Sequence, residues 1–294
     1  MRFLGKTLYN YLPDNSPFLS KVLKWGLDKI DVELISLGNL ISSGEKGWKF
    51  LIDDQKAIEE IIKGAESIAD SLKGCTTGIM ISKETTLNNA PIFEAHQFHR
   101  YSAEDEMHLF LKEDWKQISD YESAITSKYK VRMRKIFDTN KHFERKSLSL
   151  ADIIENRDRI DFLFNDLLSH VKFKLVEIDA SYFIEMKRNQ GVNFFVDAYY
   201  ADGQMKGFIS YFYQNRDIDV HYIGYEASTN QESKLYNKVL YDMLLKGIEG
   251  RAEMICYGRT AHEIKKVRLV RCRSRFIITF ASINRFLIKY CHFF

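Results

Sequence analysis

Apolar and polar positions along the chain alternate between a period of two and a period near 3.6, and the changes of period mark the predicted elements. Residues 33–51 read as two short strands, Glu33-Leu-Ile-Ser-Leu and Trp48-Lys-Phe-Leu-Ile, with Gly38, Gly44 and Gly47 between or beside them. Asp53 and Asp54 open a helix that places Ile58, Ile61, Ile62, Ala65, Ile68 and Ala69 on one face and stops near Gly74. Strand-like runs follow at Thr77 to Ser82, Pro91 to His99 and Met107 to Leu111.

A helix is predicted from Ser119-Asp120, with Tyr121, Ala124, Ile125, Tyr129 and Ile136 at helical spacing. Lys128, Lys130, Arg132, Arg134 and Lys135 make it strongly basic. A second helix spans about Ala151 to Val171, and a third starts at Asp179 or Ser181. Then comes the clearest sheet signal. Asn193 to Ala201 runs into Asp202-Gly203, a dipeptide suited to a type I′ hairpin turn, and Gln204 to Tyr213 returns. Asn215-Arg-Asp turns again into Ile218 to Tyr225, giving an antiparallel meander. Thr229-Asn-Gln-Glu232 fits a capping box, and the helix it opens repeats Leu235/Tyr236, Val239/Leu240, Met243/Leu244 and Ile248. Gly250 is suited to end that helix in the left-handed conformation, and Glu253 to Tyr257 is a last strand.

Composition narrows the function classes. Hydrophobic content of 45% with 28% charged residues is that of a globular protein, and 3 prolines argue against a linker-rich chain. A net charge of +3 is too small to imply nucleic-acid binding, so no DNA partner is expected. The 4 cysteines, Cys75, Cys256, Cys272 and Cys291, show no C-x-x-C spacing, so neither a zinc site nor a disulfide scaffold is indicated. His96 and His99 would project from opposite faces of a strand, which leaves no metal cluster with His108. Met1 to Leu23 mixes charges with short apolar runs, and no window offers a membrane-length apolar run. A cytoplasmic protein without integral membrane association is the expectation.

Three stretches carry a family resemblance. Trp115 to Phe137 contains D-Y-E-S-A-I-T-S-K-Y-K-V-R-M-R-K; D-G-Q-M-K-G-F-I-S-Y-F-Y is followed by H-Y-I-G-Y-E; and Y-N-K-V-L-Y-D-M-L-L-K-G-I-E precedes Y-G-R-T-A-H-E-I-K at residues 257–265. Together with the element order they resemble the GNAT-like N-acyltransferases, especially the FemAB-like branch that includes peptidoglycan-type transferases. The resemblance implies a mixed α/β (α+β) fold with a central antiparallel meander flanked by helices, in two GNAT-like halves. Residues 1–114 are then the N-terminal half and 115–265 the C-terminal acyltransferase half. It further implies transfer of an acyl group from acyl-CoA, such as acetyl-CoA, to an amine acceptor, with no metal. A FemAB-like aminoacyltransferase on a cell-wall precursor, drawing on aminoacyl-tRNA, is the alternative. Typical GNAT enzymes hold the CoA diphosphate on backbone amides of a glycine-rich loop at a helix N-terminus. Here the equivalent link, Ala227 to Ser233, has no glycine, and Glu232 would repel phosphate.

The resemblance also nominates residues. Tyr222, Tyr225 and Glu226 end the central strand, where GNAT folds splay to admit the donor. Tyr225 is the candidate general acid and Glu226 the candidate base for the acceptor ammonium, with Tyr222 beside the donor; a plain strand tyrosine and a turn-opening glutamate are the alternatives. Arg259 and Lys265 are placed to bind a phosphate or polarise a thioester carbonyl, or else belong to a solvated loop and helix start. Arg132 and Arg134, on the basic helix, are placed to hold phosphates of CoA, a lipid-linked precursor or tRNA, or else form a charged outer face. Tyr236 falls in the core stripe of its helix, and Cys256 in a buried strand.

Residues 266–294 change character. K-V-R-L-V-R-C-R-S-R is basic throughout, and no acid follows to Phe294. This anomalous tail reads as a basic strand with an amphipathic helix for an anionic membrane surface, or as a frameshift. Codons reread one nucleotide out of phase can continue Glu263-Ile264 as the family motif continues. In that case the product is a truncated, inactive member.

Overall fold

The computed structural model describes residues 2–4, 31–37, 55–71, 76–82, 90–96, 98–169, 178–258 and 270–282. The chain divides into two compact units, Met1–Leu40 with Glu45–Glu104 and Arg275–Phe294, and Ile41–Gly44 with Asp105–Ser274.

In the first unit, β1 (Arg2–Leu4) lies antiparallel to β2 (Asp31–Leu37). Helix α1 (Gln55–Ser71) precedes β3 (Thr76–Ser82), which runs parallel to β2, as a helical crossover allows. Ile58, Ile62, Ala65 and Ala69 of α1 are buried, whereas Ile68, expected on the same face, is 56% exposed. Where a strand is predicted from Pro91, the chain forms α2 (Ala90–Ala95). The adjacent apolar pair Ile92 and Phe93 breaks the period of two, and a proline in a first helical turn gives up an N–H that needs no intrahelical partner. Phe93 meets Phe98 edge-on at 5.7 Å, closing a core with Ile58, Ile62, Ala65 and Ile79. The strand expected at Trp48 lies outside the described residues.

Strand β4 (His99–Phe110) enters the second unit at Asp105. The basic helix predicted as one is two, α3 (Ile118–Ala124) and α4 (Ser127–Thr139), because Ile125 turns extended at φ −101° and ψ 160°. After β5 (Glu144–Ser147), the next predicted helix is also divided, into α5 (Leu150–Glu155) and α6 (Arg157–Ser169). Ser149 and Asp152 cap α5 reciprocally, and Asp179 caps α7 (Ala180–Gln190).

The meander follows: β6 (Phe194–Ala201), β7 (Gln204–Gln214) and β8 (Asp217–Tyr225). Positive φ at Asp202 (51°) and Gly203 (74°) gives the predicted type I′ turn, and Asn215 (51°) with Arg216 (64°) repeats it without glycine. Beyond β8 the helix starts earlier than the capping box suggests. Glu226, not Thr229, caps α8 (Ala227–Ser233). Lys234 then turns left-handed at φ 61° before α9 (Leu235–Glu249). Gly250, expected to be left-handed, stays at φ −80°, and Arg251 takes the positive value of 52°. β9 (Met254–Cys256) returns parallel to β8, completing a β-α-β crossover.

The second unit thus holds a six-stranded mixed sheet in the order β4-β9-β8-β7-β6-β5. Alternation along the strands supplies two cores. One face carries Tyr199, Ile209, Tyr211, Ile218 and Val220 against Val239, Met243 and Leu244 of α9. The other carries Phe194, Val196, Ala198 and Phe208 against Ile160, Leu163 and Phe164 of α6 and Phe183 of α7. The basic stretch supplies a strand as well. β10 (Val270–Ser282) pairs antiparallel with β3 from Ile278–Ser82 to Ser282–Gly78. No helix among the described residues is long and apolar enough to cross a membrane.

Candidate active site

The sheet opens between β8 and β9. Their parallel ladder runs only from Asp217–Met254 to Asp219–Cys256, while β8 continues to Tyr225. Past Cys256 the chain follows β4 instead: Tyr257 N–H donates to Met107 O at 2.8 Å, and Met107 N–H donates to Gly258 O at 2.9 Å. A notch is left beside the second half of β8.

A β-bulge shapes the same half of β8. Ile209 pairs with Ile223 and Tyr211 with Val220, so Ser210 alone faces both His221 and Tyr222. The Ser210 side chain pins the irregularity, accepting Tyr222 N–H at 3.0 Å and donating to Tyr222 O at 3.4 Å. The extra residue shifts the alternation by one, so Ile223 and Tyr225 face the same core as Ile218 and Val220. Tyr222 is turned to the opposite core, edge-on to Phe164 at 5.4 Å. Gly224 is needed for close packing, since a Cβ there would stand 2.3 Å from Phe208 Cε1.

Of the predicted residues, Tyr225 and Glu226 are neighbours at the end of β8. Burial raises the Tyr225 pKa, which keeps its hydroxyl protonated at neutral pH, and its ring lies 6.1 Å from that of Tyr236. Glu226 sits among cations. Arg159 Nη2 donates to Oε1, Lys206 Nζ to Oε2 at 3.2 Å, and Thr229 Oγ1 to Oε2 at 2.9 Å. Burial pushes its pKa up, but the hydrogen bonds from Arg159, Thr229 and Lys206 outweigh burial and the net shift is downward. A carboxylate so held is a weaker base than a free one, so this setting favours a clamp over the base role expected of Glu226. Arg159 extends the clamp by donating from Nε and Nη2 to Met205 O, at 2.7 and 2.5 Å.

The link after β8 is occupied by the chain's own acceptors. Ala227 N–H donates to Asp166 Oδ2 at 2.8 Å, and Tyr236 N–H donates to Asn230 Oδ1 at 2.9 Å. Asn237 N–H donates to Lys234 O at 2.9 Å. The amides of Ala227, Tyr236 and Asn237 are thus engaged within the chain, and the carboxylates of Glu226 and Asp166 border the link.

Other expected residues lie elsewhere. Arg132 and Arg134 are on the exposed side of α4, and Arg134 Nη2 meets Glu122 Oε2 at 2.6 Å. Arg259 and Lys265 lie outside the described residues. The structure adds groups that the sequence reading passed over: Arg159, Asp166, Lys206, Asn230, Ser210 and the pair Tyr182–His221. The Tyr182 hydroxyl lies 3.2 Å from His221 Nε2, and His221 Nδ1 is buried without a partner. Burial lowers the His221 pKa to about 4, leaving the ring neutral.

No family model and no curated protein sequence matches the chain. Solved structures do match it. The C-terminal domain (DUF2156) of a protein named as a lysylphosphatidylglycerol synthetase, from Agrobacterium fabrum, aligns over 85% of this chain and 77% of its own, at 9% identity and a TM-score of 0.54. FemX aligns over 85% of this chain and 81% of its own, at 11% identity and a TM-score of 0.54. A tandem GNAT protein from the clavulanic acid biosynthesis pathway aligns over 76% and 69%, at 13% identity and a TM-score of 0.46. With its meander, crossover helix and open notch, the chain has the GNAT-like fold.

Proposed function

We propose that this chain is an N-acyltransferase that moves an acyl or aminoacyl group from an activated ester or thioester to a primary amine. The observation that carries the reading is the notch between β8 and β9, with the bulge at His221–Tyr222 bordering it and Tyr225 at its end. The amine nitrogen attacks the donor's carbonyl carbon, and the C–O or C–S bond breaks. The departing oxygen or sulfur takes the proton of the Tyr225 hydroxyl. The new amide's surplus proton leaves to water and so returns to the tyrosinate. Burial raises the Tyr225 pKa, so its hydroxyl is protonated at neutral pH but a weaker acid than a free tyrosine, which suits it to a strongly basic departing alkoxide more than to a thiolate.

Two donors suit this chemistry, an acyl-CoA and an aminoacyl ester of tRNA. The occupied amides at Ala227 and Tyr236 favour the second. That reading accords with FemX and the synthetase domain as structural neighbours, and makes the amine of a cell-wall precursor a suitable acceptor. Incubating the full chain with thioester and aminoacyl-ester donors and a panel of amines, with mass-spectrometric detection of amide products, tests it. Tyr225→Phe is expected to lower kcat by about 10²–10⁴-fold. Absence of product with every donor would overturn the transferase reading, and an unchanged kcat in Tyr225→Phe would remove Tyr225 from it.

A further inference from the structure

We infer that Glu226 is a built-in anion, lodged in a carboxylate- and phosphate-binding corner made by Arg159, Lys206 and Thr229, and that it bars a donor's diphosphate, such as that of an acyl-CoA, from that corner. The inference rests on the transferase reading only in taking the barred group for that of an acyl donor; the corner's chemistry stands by itself.

Three donors from three elements converge on one carboxylate: the Arg159 guanidinium from α6, the Lys206 ammonium from β7 and the Thr229 hydroxyl from α8. All are drawn to either a carboxylate or a phosphate oxygen. The Glu226 side chain is 17% exposed, with Arg159 at 29% and Lys206 at 21%, so the group is partly shielded from water. Glu226 is fixed from its backbone too, since its N–H donates to Lys206 O at 3.1 Å and its C=O accepts Asn230 N–H at 3.0 Å. Beside it, Asp166 holds the Ala227 amide and Asn230 holds the Tyr236 amide. An incoming diphosphate would have to displace these acceptors and lie against the charges of both Glu226 and Asp166. With Glu226 neutralised, the same Arg159 and Lys206 lack a counter-charge and turn into a site for an external anion.

The test uses the full chain, with inorganic pyrophosphate and CoA as probes and thermal melting and calorimetry as readouts, against chloride at matched ionic strength. The wild type is expected to show no melting shift with pyrophosphate beyond the chloride control and no measurable CoA binding. Glu226→Gln is expected to melt about 4–10 °C lower, through the uncompensated cations. It should also bind pyrophosphate at least about tenfold more tightly than the wild type, with recovery of melting temperature. Glu226→Ala, which leaves more room, should respond at least as strongly. If Glu226→Gln does not fold, pyrophosphate included during refolding is expected to rescue it, and failure of that rescue counts against the proposal. Wild type that binds CoA competitively with pyrophosphate, or variants with no anion response, would overturn it. The two readings part cleanly. Acyl transfer from acetyl-CoA bound through the corner sinks the inference and keeps the transferase; an inert chain with an anion-responsive Glu226→Gln does the reverse.

Discussion

Ser210→Ala separates the bulge from the rest of the sheet. Ser210 is fully buried, and its Oγ is the acceptor for Tyr222 N–H at 3.0 Å. Alanine leaves the β-carbon in place, so packing changes by one oxygen, but the amide loses its acceptor. A buried donor left unsatisfied costs about 1–3 kcal/mol, more than the net worth of the bond itself. The second contact, to Tyr222 O at 3.4 Å, is long and adds little. The expected destabilisation is therefore about 1–3 kcal/mol, read as a lower urea midpoint at unchanged slope. Hydrogen exchange localises the effect: the Tyr222 amide should lose protection while amides of β6 keep theirs. Because the bulge sets the phase of Ile223 and Tyr225, the acyl-transfer rate should fall with it. A midpoint within about 0.5 kcal/mol of wild type, with Tyr222 protection intact, would refute the claim that Ser210 pins the bulge.

Two further outcomes are expected. Gly224→Ala sets a methyl 2.3 Å from Phe208 Cε1 and 3.1 Å from Phe164 N, and overpacking of this kind costs about 1–3 kcal/mol by urea denaturation. For acid stability, the His221 pKa is about 4 in the fold against about 6.5 unfolded, so the unfolded chain binds the proton first and stability falls as pH drops from about 6.5 to 4, by on the order of 3 kcal/mol. Tyr182 and Tyr222 are the titratable groups around that ring, neither of which titrates in this range; in His221→Phe the slope above pH 5 should largely vanish.

Local signals carried most of the fold. The turn at Asp202-Gly203, the period of two through the meander and the stripe on α9 all depend on residues close in sequence, and each element appears where its pattern lies. Departures arise where a local rule met a stronger neighbour. The Thr229 capping box goes unused because Thr229 donates to Glu226, which holds the N-cap position of α8 three residues earlier. β5 escaped notice because Glu-Arg-Lys-Ser is exposed at every position and shows no alternation. The bulge, by contrast, left a trace. Ile218 and Val220 set one phase and Ile223 and Tyr225 the other, a slip of one residue that a strict test for period two would register.

The corner leaves no such trace along the chain. Its partners are far away in sequence: Arg159 is 67 residues from Glu226, and Asp166 is 61 from Ala227. Only the sheet and α6 bring them together. Seen alone, a glutamate at the end of a strand beside a tyrosine suggests a base, and a glycine-free link suggests a weakened phosphate loop. Seen with its partners, the glutamate explains the link. A backbone cradle needs empty amides and close approach, which glycine permits; a corner whose amides meet Asp166 and Asn230 has no such need. The missing glycines and the lowered basicity of Glu226 are then two consequences of one arrangement, in which the chain supplies its own anion. Removing that anion is the perturbation under which a structural clamp and a catalytic base respond differently, since only the clamp predicts a gain of pyrophosphate binding.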